Sequence, residues 1–222
     1  MEIYLLDIEN VNINKERLKQ KFKNRIEESN RFLNDRDKKS SLGVAYLLDK
    51  YLKIGEDDIY YNEFKKPYTK NIFFNVSHSG NYVALVKDKE EVGIDIELID
   101  KDKVKFSNKI FTQSELDWIN EKDSDNRFFY LWVIKESVIK AIGKGLSVPL
   151  QTIDININEN YVLVENQKIY FQVIKIDKFY LSVASRHFIK DIDIKKERVL
   201  SLKINYRQLR HLFGILLTNL PL

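Results

Sequence analysis

Cysteine is absent from the 222 residues, so disulfides, thiolate metal ligands and a cysteine nucleophile are excluded. Three prolines and seven glycines are too few for long flexible linkers. No stretch of about 18 apolar residues occurs, and no membrane span or membrane partner is expected. The opening Met1-Glu2-Ile3-Tyr4 carries no basic region followed by an apolar run. It predicts no signal peptide, and a cytoplasmic location is the default. Charge of one sign is lacking too: 37 Lys and Arg face 33 Asp and Glu, a formal net charge of +4. That balance argues against a nucleic-acid partner and suits a small anionic ligand or an acidic protein surface.

What is present is a chain of 222 residues, 44% hydrophobic, enough for one globular unit or two small lobes. Residues 2–8 read as a strand. Leu18, Phe22 and Ile26, four apart, predict one charged helix from Asn14 to about Asn34, and a second helix is expected from Ser40 or Ser41 to Leu52. Phe73–Ser77 and Tyr82–Lys87 flank Gly80-Asn81 as a hairpin. Thr112 and Glu115 form a capping-box pattern. The longest helix is expected from about Ser124 to Ile142, ended by Gly143, with strands from Thr152 to Ser185. Tyr82-Val83-Ala84-Leu85-Val86 is echoed by Tyr180-Leu181-Ser182-Val183-Ala184. The echo predicts an α+β fold of two pseudo-symmetric lobes, each an antiparallel sheet packed with a long helix, meeting at a cleft. The expected division is 1–102 for the N-terminal lobe, 103–189 for the C-terminal lobe and 190–222 for an extension. In that extension Leu209, Leu212, Phe213, Leu216, Leu217 and Leu220 follow helical spacing, with Asn205 as its cap.

The chemistry-bearing residues lie in three segments. Asn75-Val76-Ser77-His78-Ser79 precedes Gly93-Ile94-Asp95-Ile96-Glu97, and Trp132-Val133-Ile134-Lys135-Glu136-Ser137-Val138-Ile139-Lys140 follows. Period 2 in a strand puts Asp95 and Glu97 on one face and Ile94 and Ile96 on the other. An isolated acidic pair of this kind ordinarily faces solvent, and a Glu136–Lys140 pair four apart is ordinary helix decoration. In conjunction they supply hard oxygen ligands suited to Mg²⁺, a cation for phosphate and a carboxylate for proton transfer. Trp118 and Trp132 read as core or lobe-interface residues.

These three segments, with Ala141-Ile142-Gly143-Lys144-Gly145-Leu146 after the last, resemble the signatures of 4′-phosphopantetheinyl transferases. The resemblance covers roughly residues 1–188, and the length resembles the single-chain, pseudo-dimeric type that activates peptide synthetases such as surfactin synthetase. It implies transfer of the phosphopantetheine arm of coenzyme A to a serine of an apo acyl- or peptidyl-carrier protein, with release of 3′,5′-ADP, by a monomer. It implies Mg²⁺ on Asp95, Glu97 and Glu136, with Glu136 and Lys140 catalytic. It implies coenzyme A contacts from Ser77 and His78, chiefly to the 3′-phosphate, from Lys140 to the diphosphate, from the backbone at Lys66 to the adenine, and from Lys39 near the 3′-phosphate. Lys39 stands where the family usually has arginine, and loses the bidentate fork. The usual basic patch is thinned, with Arg25 and Arg31 present but Glu27 and Glu28 between them. Glu115 matches a family carboxylate, though its capping-box place already accounts for it. Two other readings remain open: a Mg²⁺-dependent hydrolase of a nucleotide diphosphate, and a non-catalytic module that binds coenzyme A or a carrier.

Overall fold

The computed structural model describes residues 1–9, 13–102, 104, 110–197 and 201–204. The helix expected around residues 205–220 lies outside the described residues.

The apolar β1 (Glu2–Asp7) pairs antiparallel with β5 (Tyr82–Asp88), which pairs with β4 (Phe73–Ser79) through the expected turn at Gly80-Asn81. On its other side β1 runs parallel to β11 (Ile192–Glu197), which pairs with β12 (Ser201–Ile204). The first sheet is thus ordered β12-β11-β1-β5-β4. The second sheet, wholly antiparallel, contains β6 (Val92–Leu98), β10 (Phe179–Ser185), β9 (Gln167–Ile176), β8 (Tyr161–Val164) and β7 (Asp154–Asn156), in that order. The echoed segments occupy equivalent places: β5 and β10 each lie one strand in from β4 and β6, the edges where the sheets meet. A two-stranded piece, β2 (Tyr60–Tyr61) with β3 (Pro67–Tyr68), stands apart.

Alternation along the strands makes the layers. Tyr4, Leu6, Val83 and Leu85 face the helices of the first half, while Ile3, Leu5, Ala84 and Val86 face Ile94, Ile96, Leu181 and Val183 of the second sheet. The far side of the second sheet is covered by the long helix α5 (Ser124–Ile142), which ends at Gly143 with φ 78°. α4 (Gln113–Glu121) opens with the expected box: Glu115 N–H donates to Thr112 Oγ1, and Thr112 N–H donates to Glu115 Oε2.

The single helix predicted from Asn14 to Asn34 is two short ones, α1 (Lys15–Lys19) and α2 (Lys23–Ser29). The break has a tertiary cause. The Lys21 carbonyl accepts from Glu56 N–H at 2.9 Å, outside the helical ladder, and the Lys21 ammonium binds the buried Asp49 at 2.6 Å. The Glu56 carboxylate in turn accepts from the N–H groups of Asn24 and Arg25, supplying the cap that α2 lacks in its own sequence. α3 (Asp35–Leu47) starts earlier than expected because Asn34 caps it, and it runs on into a π-helical turn, Leu48–Leu52.

Candidate functional site

The site begins where the two sheets meet edge to edge. β4 offers β6 side chains rather than a backbone ladder. Asn75 Oδ1, Ser77 Oγ and Ser79 Oγ, two residues apart, accept from the N–H groups of Ile94, Ile96 and Leu98 at 3.2, 3.4 and 3.0 Å. The alternating polar residues of Asn75–Ser79 therefore satisfy the open edge of β6, whose N–H groups would otherwise be buried unpaired.

The expected two-faced reading of β6 holds, with both faces enclosed. Ile94 and Ile96 enter the core between the sheets, and Gly93, Asp95 and Glu97 face α5. Gly93 sets the spacing: a Cβ there would lie 2.0 Å from the Ser137 carbonyl oxygen and 2.4 Å from Ala141 N. The absent side chain lets α5 lie directly on the strand. Trp132, Glu136 and Lys140 are successively four apart on the face that results. Lys140 Nζ lies 2.6 Å from Asp95 Oδ1 and 3.1 Å from Ser77 Oγ, and Trp132 Nε1 donates to Glu97 Oε1 at 3.3 Å. Ser77 Oγ donates to Asp95 Oδ1 and Ser79 Oγ to Glu97 Oε2, both at 2.8 Å.

These groups line a cleft of about 580 Å³. One wall carries Asp95, Glu97, Trp132, Glu136 and Lys140; the other carries Arg25, Phe32, Asp37, Ser41, Val44, Val76, Ser77 and His78. Of the residues singled out in the sequence, the structure brings together Ser77, His78, Asp95, Glu97, Glu136 and Lys140. It does not bring in Lys39 or Lys66. Asp37, Ser41 and Val44 already define the cleft face of α3, and Lys39 is about 200° round the helix from Asp37, on the solvent side. The Lys66 ammonium is held beneath the end of α5 by Glu91 and by the Ala141 carbonyl. Ser77 is buried among Asp95, Lys140 and the Ile96 N–H rather than facing open space. Glu115 is turned away from the cleft onto Thr112 and the fully buried Lys135 ammonium at 2.9 Å. Trp132, read from sequence as core or interface, is a cleft residue. The signal for it was the four-residue step to Glu136, which continues to Lys140. Arg25 was marked only as part of the thinned basic patch, and Asp37 and Ser41 carried no signal.

Electrostatics follow from crowding. Burial pushes the Glu136 carboxyl up to about 7, and Asp95 and Glu97 add to the shift against Lys140. Burial also raises Asp95, with Lys140 and Ser77 pulling the other way. His78 is held below the ordinary imidazole value by burial and by Lys140. Among the described residues no three His, Cys, Asp or Glu side chains already close on one point as a ligand set. The donor chemistry nevertheless fits a hard divalent cation. Asp95, Glu97 and Glu136 share one wall of the cleft with the Lys140 ammonium, and the buried Asp95 Oδ2 has no hydrogen-bond partner.

Comparison with known proteins places this arrangement. Residues 91–184, which run from β6 through β10, match the 4′-phosphopantetheinyl transferase superfamily. The chain is 36% identical over 147 residues to the 4′-phosphopantetheinyl transferase gsp of Aneurinibacillus migulanus, a match covering 62% of this chain and 62% of that protein. It is 29% identical over 158 residues to the 4′-phosphopantetheinyl transferase Sfp of Bacillus subtilis (strain 168), covering 65% and 70%. With a further 4′-phosphopantetheinyl transferase of Bacillus subtilis it shares 31% over 147 residues, covering 60% and 66%. The matches thus span 62%, 70% and 66% of these relatives' own length, less than two thirds of the first. No helix among the described residues is long and apolar enough to cross a membrane. The matched segment holds the strand and the helix that carry Asp95, Glu97, Glu136 and Lys140, so the similarity to 4′-phosphopantetheinyl transferases is centred on the cleft.

Proposed function

We propose that this protein transfers the 4′-phosphopantetheine arm of coenzyme A to a serine hydroxyl of an apo acyl- or peptidyl-carrier protein and releases 3′,5′-ADP. One observation carries the reading: Asp95, Glu97, Glu136 and Lys140 line a single cleft with His78 at the junction of the two sheets. Both walls come from one chain, which supports action as a monomer.

In the reaction the serine oxygen forms a bond to the β-phosphorus, the bond from that phosphorus to the 3′,5′-ADP oxygen breaks, and the hydroxyl proton is taken up by a base. Asp95, Glu97 and Glu136 would hold Mg²⁺. Bound there, the ion would offset the negative charge of the diphosphate. Glu136, whose carboxyl burial raises to about 7 in the cation-free protein, is assigned the serine proton when its carboxylate is not itself holding the cation. Glu115 is excluded from that role by its bonds to Thr112 and Lys135. Lys140, 2.6 Å from Asp95, is assigned to the charge that grows on the departing 3′,5′-ADP. His78 and Arg25, on the opposite wall, are assigned to the remaining phosphate.

The test is mass spectrometry of an apo carrier protein incubated with coenzyme A, Mg²⁺ and this protein. The carrier should gain the phosphopantetheine mass, and Asp95→Ala should abolish the gain. Release of 3′,5′-ADP without a carrier present would show a hydrolase instead. Binding of coenzyme A with no product at all would show a binding module.

A further inference from the structure

We infer that Ser79 and Trp132 are positioning residues that fix the Glu97 carboxylate from the two sides of the cleft. What Glu97 then holds rests on the proposed function; the clamp itself rests on geometry.

Ser79 Oγ accepts from Leu98 N–H at 3.0 Å, which commits one lone pair to the strand edge and leaves the hydroxyl proton for Glu97 Oε2 at 2.8 Å. Trp132 Nε1–H reaches the other oxygen, Oε1, at 3.3 Å. The indole cannot swing freely, because Phe128, one turn earlier on α5, stacks on it with the ring planes 9° apart. Each carboxylate oxygen therefore receives a donor, one from β4 of the first sheet and one from α5, which packs on the second sheet. One step along the strands the same relay recurs: Ile96 N–H donates to Ser77 Oγ, which donates to Asp95 Oδ1. Two serines at strand spacing on β4 thus serve two carboxylates at strand spacing on β6. The two donors thus set the orientation of the carboxylate. A ligand held in its working rotamer before the cation arrives loses less freedom on binding.

The test compares Ser79→Ala, Ser79→Thr, Trp132→Phe and Glu97→Gln in the full chain. Two readouts are used: the Mg²⁺ dependence of carrier loading, and Mn²⁺ binding to the coenzyme A-saturated protein without carrier, followed by the electron paramagnetic resonance of free Mn²⁺. Ser79→Ala and Trp132→Phe should each weaken Mn²⁺ binding and raise the half-saturating Mg²⁺ about tenfold, the usual scale for loss of an outer-shell partner. The KM for coenzyme A should stay at the parent value, and Ser79→Thr should restore the parent cation dependence. A merely structural role predicts lower melting temperatures with unchanged Mn²⁺ affinity, and that result overturns the inference. If Glu97→Gln loses Mn²⁺ while Ser79→Ala and Trp132→Phe both keep parent affinity, the clamp is wrong and the proposed function stands. If the parent binds no Mn²⁺, or Glu97→Gln binds it as the parent does, the clamp and the metal reading fall together.

Discussion

Glu136 is the residue whose charge is most at odds with its place. Its carboxyl, pushed up to about 7 by burial and by Asp95, is costly to ionise in the folded protein. For an acid raised above its unfolded value, the sign is fixed: the stabilising contribution is full below about pH 4.5 and is lost as pH rises through about 7. Glu136→Gln stays neutral throughout. In chelator at pH 8 it should be more stable than the parent by on the order of 2 kcal/mol, with the difference vanishing near pH 4, as read from urea unfolding at each pH. The Asp95–Lys140 pair predicts an asymmetry. The Asp95 side chain is 5% exposed and the Lys140 side chain 28%. Lys140→Met strands a buried carboxylate and should cost about 3 kcal/mol. Asp95→Asn leaves an ammonium that can turn to water, and should cost clearly less. Equal losses in urea unfolding would contradict the pairing.

Elements were legible in the sequence wherever the cause was local. The Thr112–Glu115 box, the Gly80-Asn81 turn, the Gly143 stop and the alternation of Val92–Leu98 all rest on contacts within a few residues, and all are present. The pairing of Asp95 with Glu97 on one strand face and of Glu136 with Lys140 on one helix face was legible for a related reason, since helix and strand periods fix which side chains share a face before any packing is known, whereas their meeting in one cleft was read from the conjunction of the motifs and the family resemblance. What could not be read depended on distant partners. The break between α1 and α2 needs Glu56, 35 residues after Lys21, to draw off its carbonyl. The exclusion of Lys39 from the cleft needs the rotation at which α3 is docked. The meaning of Gly93 needs α5 above it. That last contact predicts that Gly93→Ala, conservative in isolation, forces α5 off β6. The backbone of Ser137 and Ala141 cannot yield as a side-chain tip can. The variant should lose on the order of 3 kcal/mol in denaturant unfolding, as overpacking does at its upper end. Any folded fraction should show weakened activity, since Glu136 and Lys140 ride on the displaced helix. Parent-like stability and activity together would show that the close approach is not needed.

At the scale of the molecule, four layers are stacked: the short helices with α3, the first sheet, the second sheet, and α5. The first sheet includes β11, the strand formed by residues 192–197, which lies parallel against β1 at the other end of the sequence. Ile192 and Ile194 are buried in the core between the sheets. Around the seam Glu2 gathers Lys195 at 2.6 Å, Tyr4 at 2.6 Å and Lys87 at 3.0 Å. Burial alone would raise the Glu2 carboxyl, but Lys195, Tyr4 and Lys87 outweigh it and hold the carboxyl down to about 2. Residues 192–197 thus seal the core that sets the spacing of β4 and β6, and hence the cleft. Truncation after Asp191 should lower the melting temperature sharply and degrade carrier loading, although every cleft residue among the described ones is kept. Ile194→Ala in the full chain isolates the apolar part and should cost about 2–4 kcal/mol. Lys195→Ala isolates the ionic part. Because Glu2 is about one-third exposed at its side chain, solvent screening limits that part to about 1 kcal/mol. For a depressed carboxyl the contribution is present above about pH 4.5 and lost as pH falls toward 2. Parent and Lys195→Ala should therefore differ in urea midpoint at pH 7 and low salt, and converge both near pH 2.5 and in 1 M NaCl. A difference that persists under both conditions would mean that Lys195 acts by packing over Tyr4 rather than by its charge on Glu2.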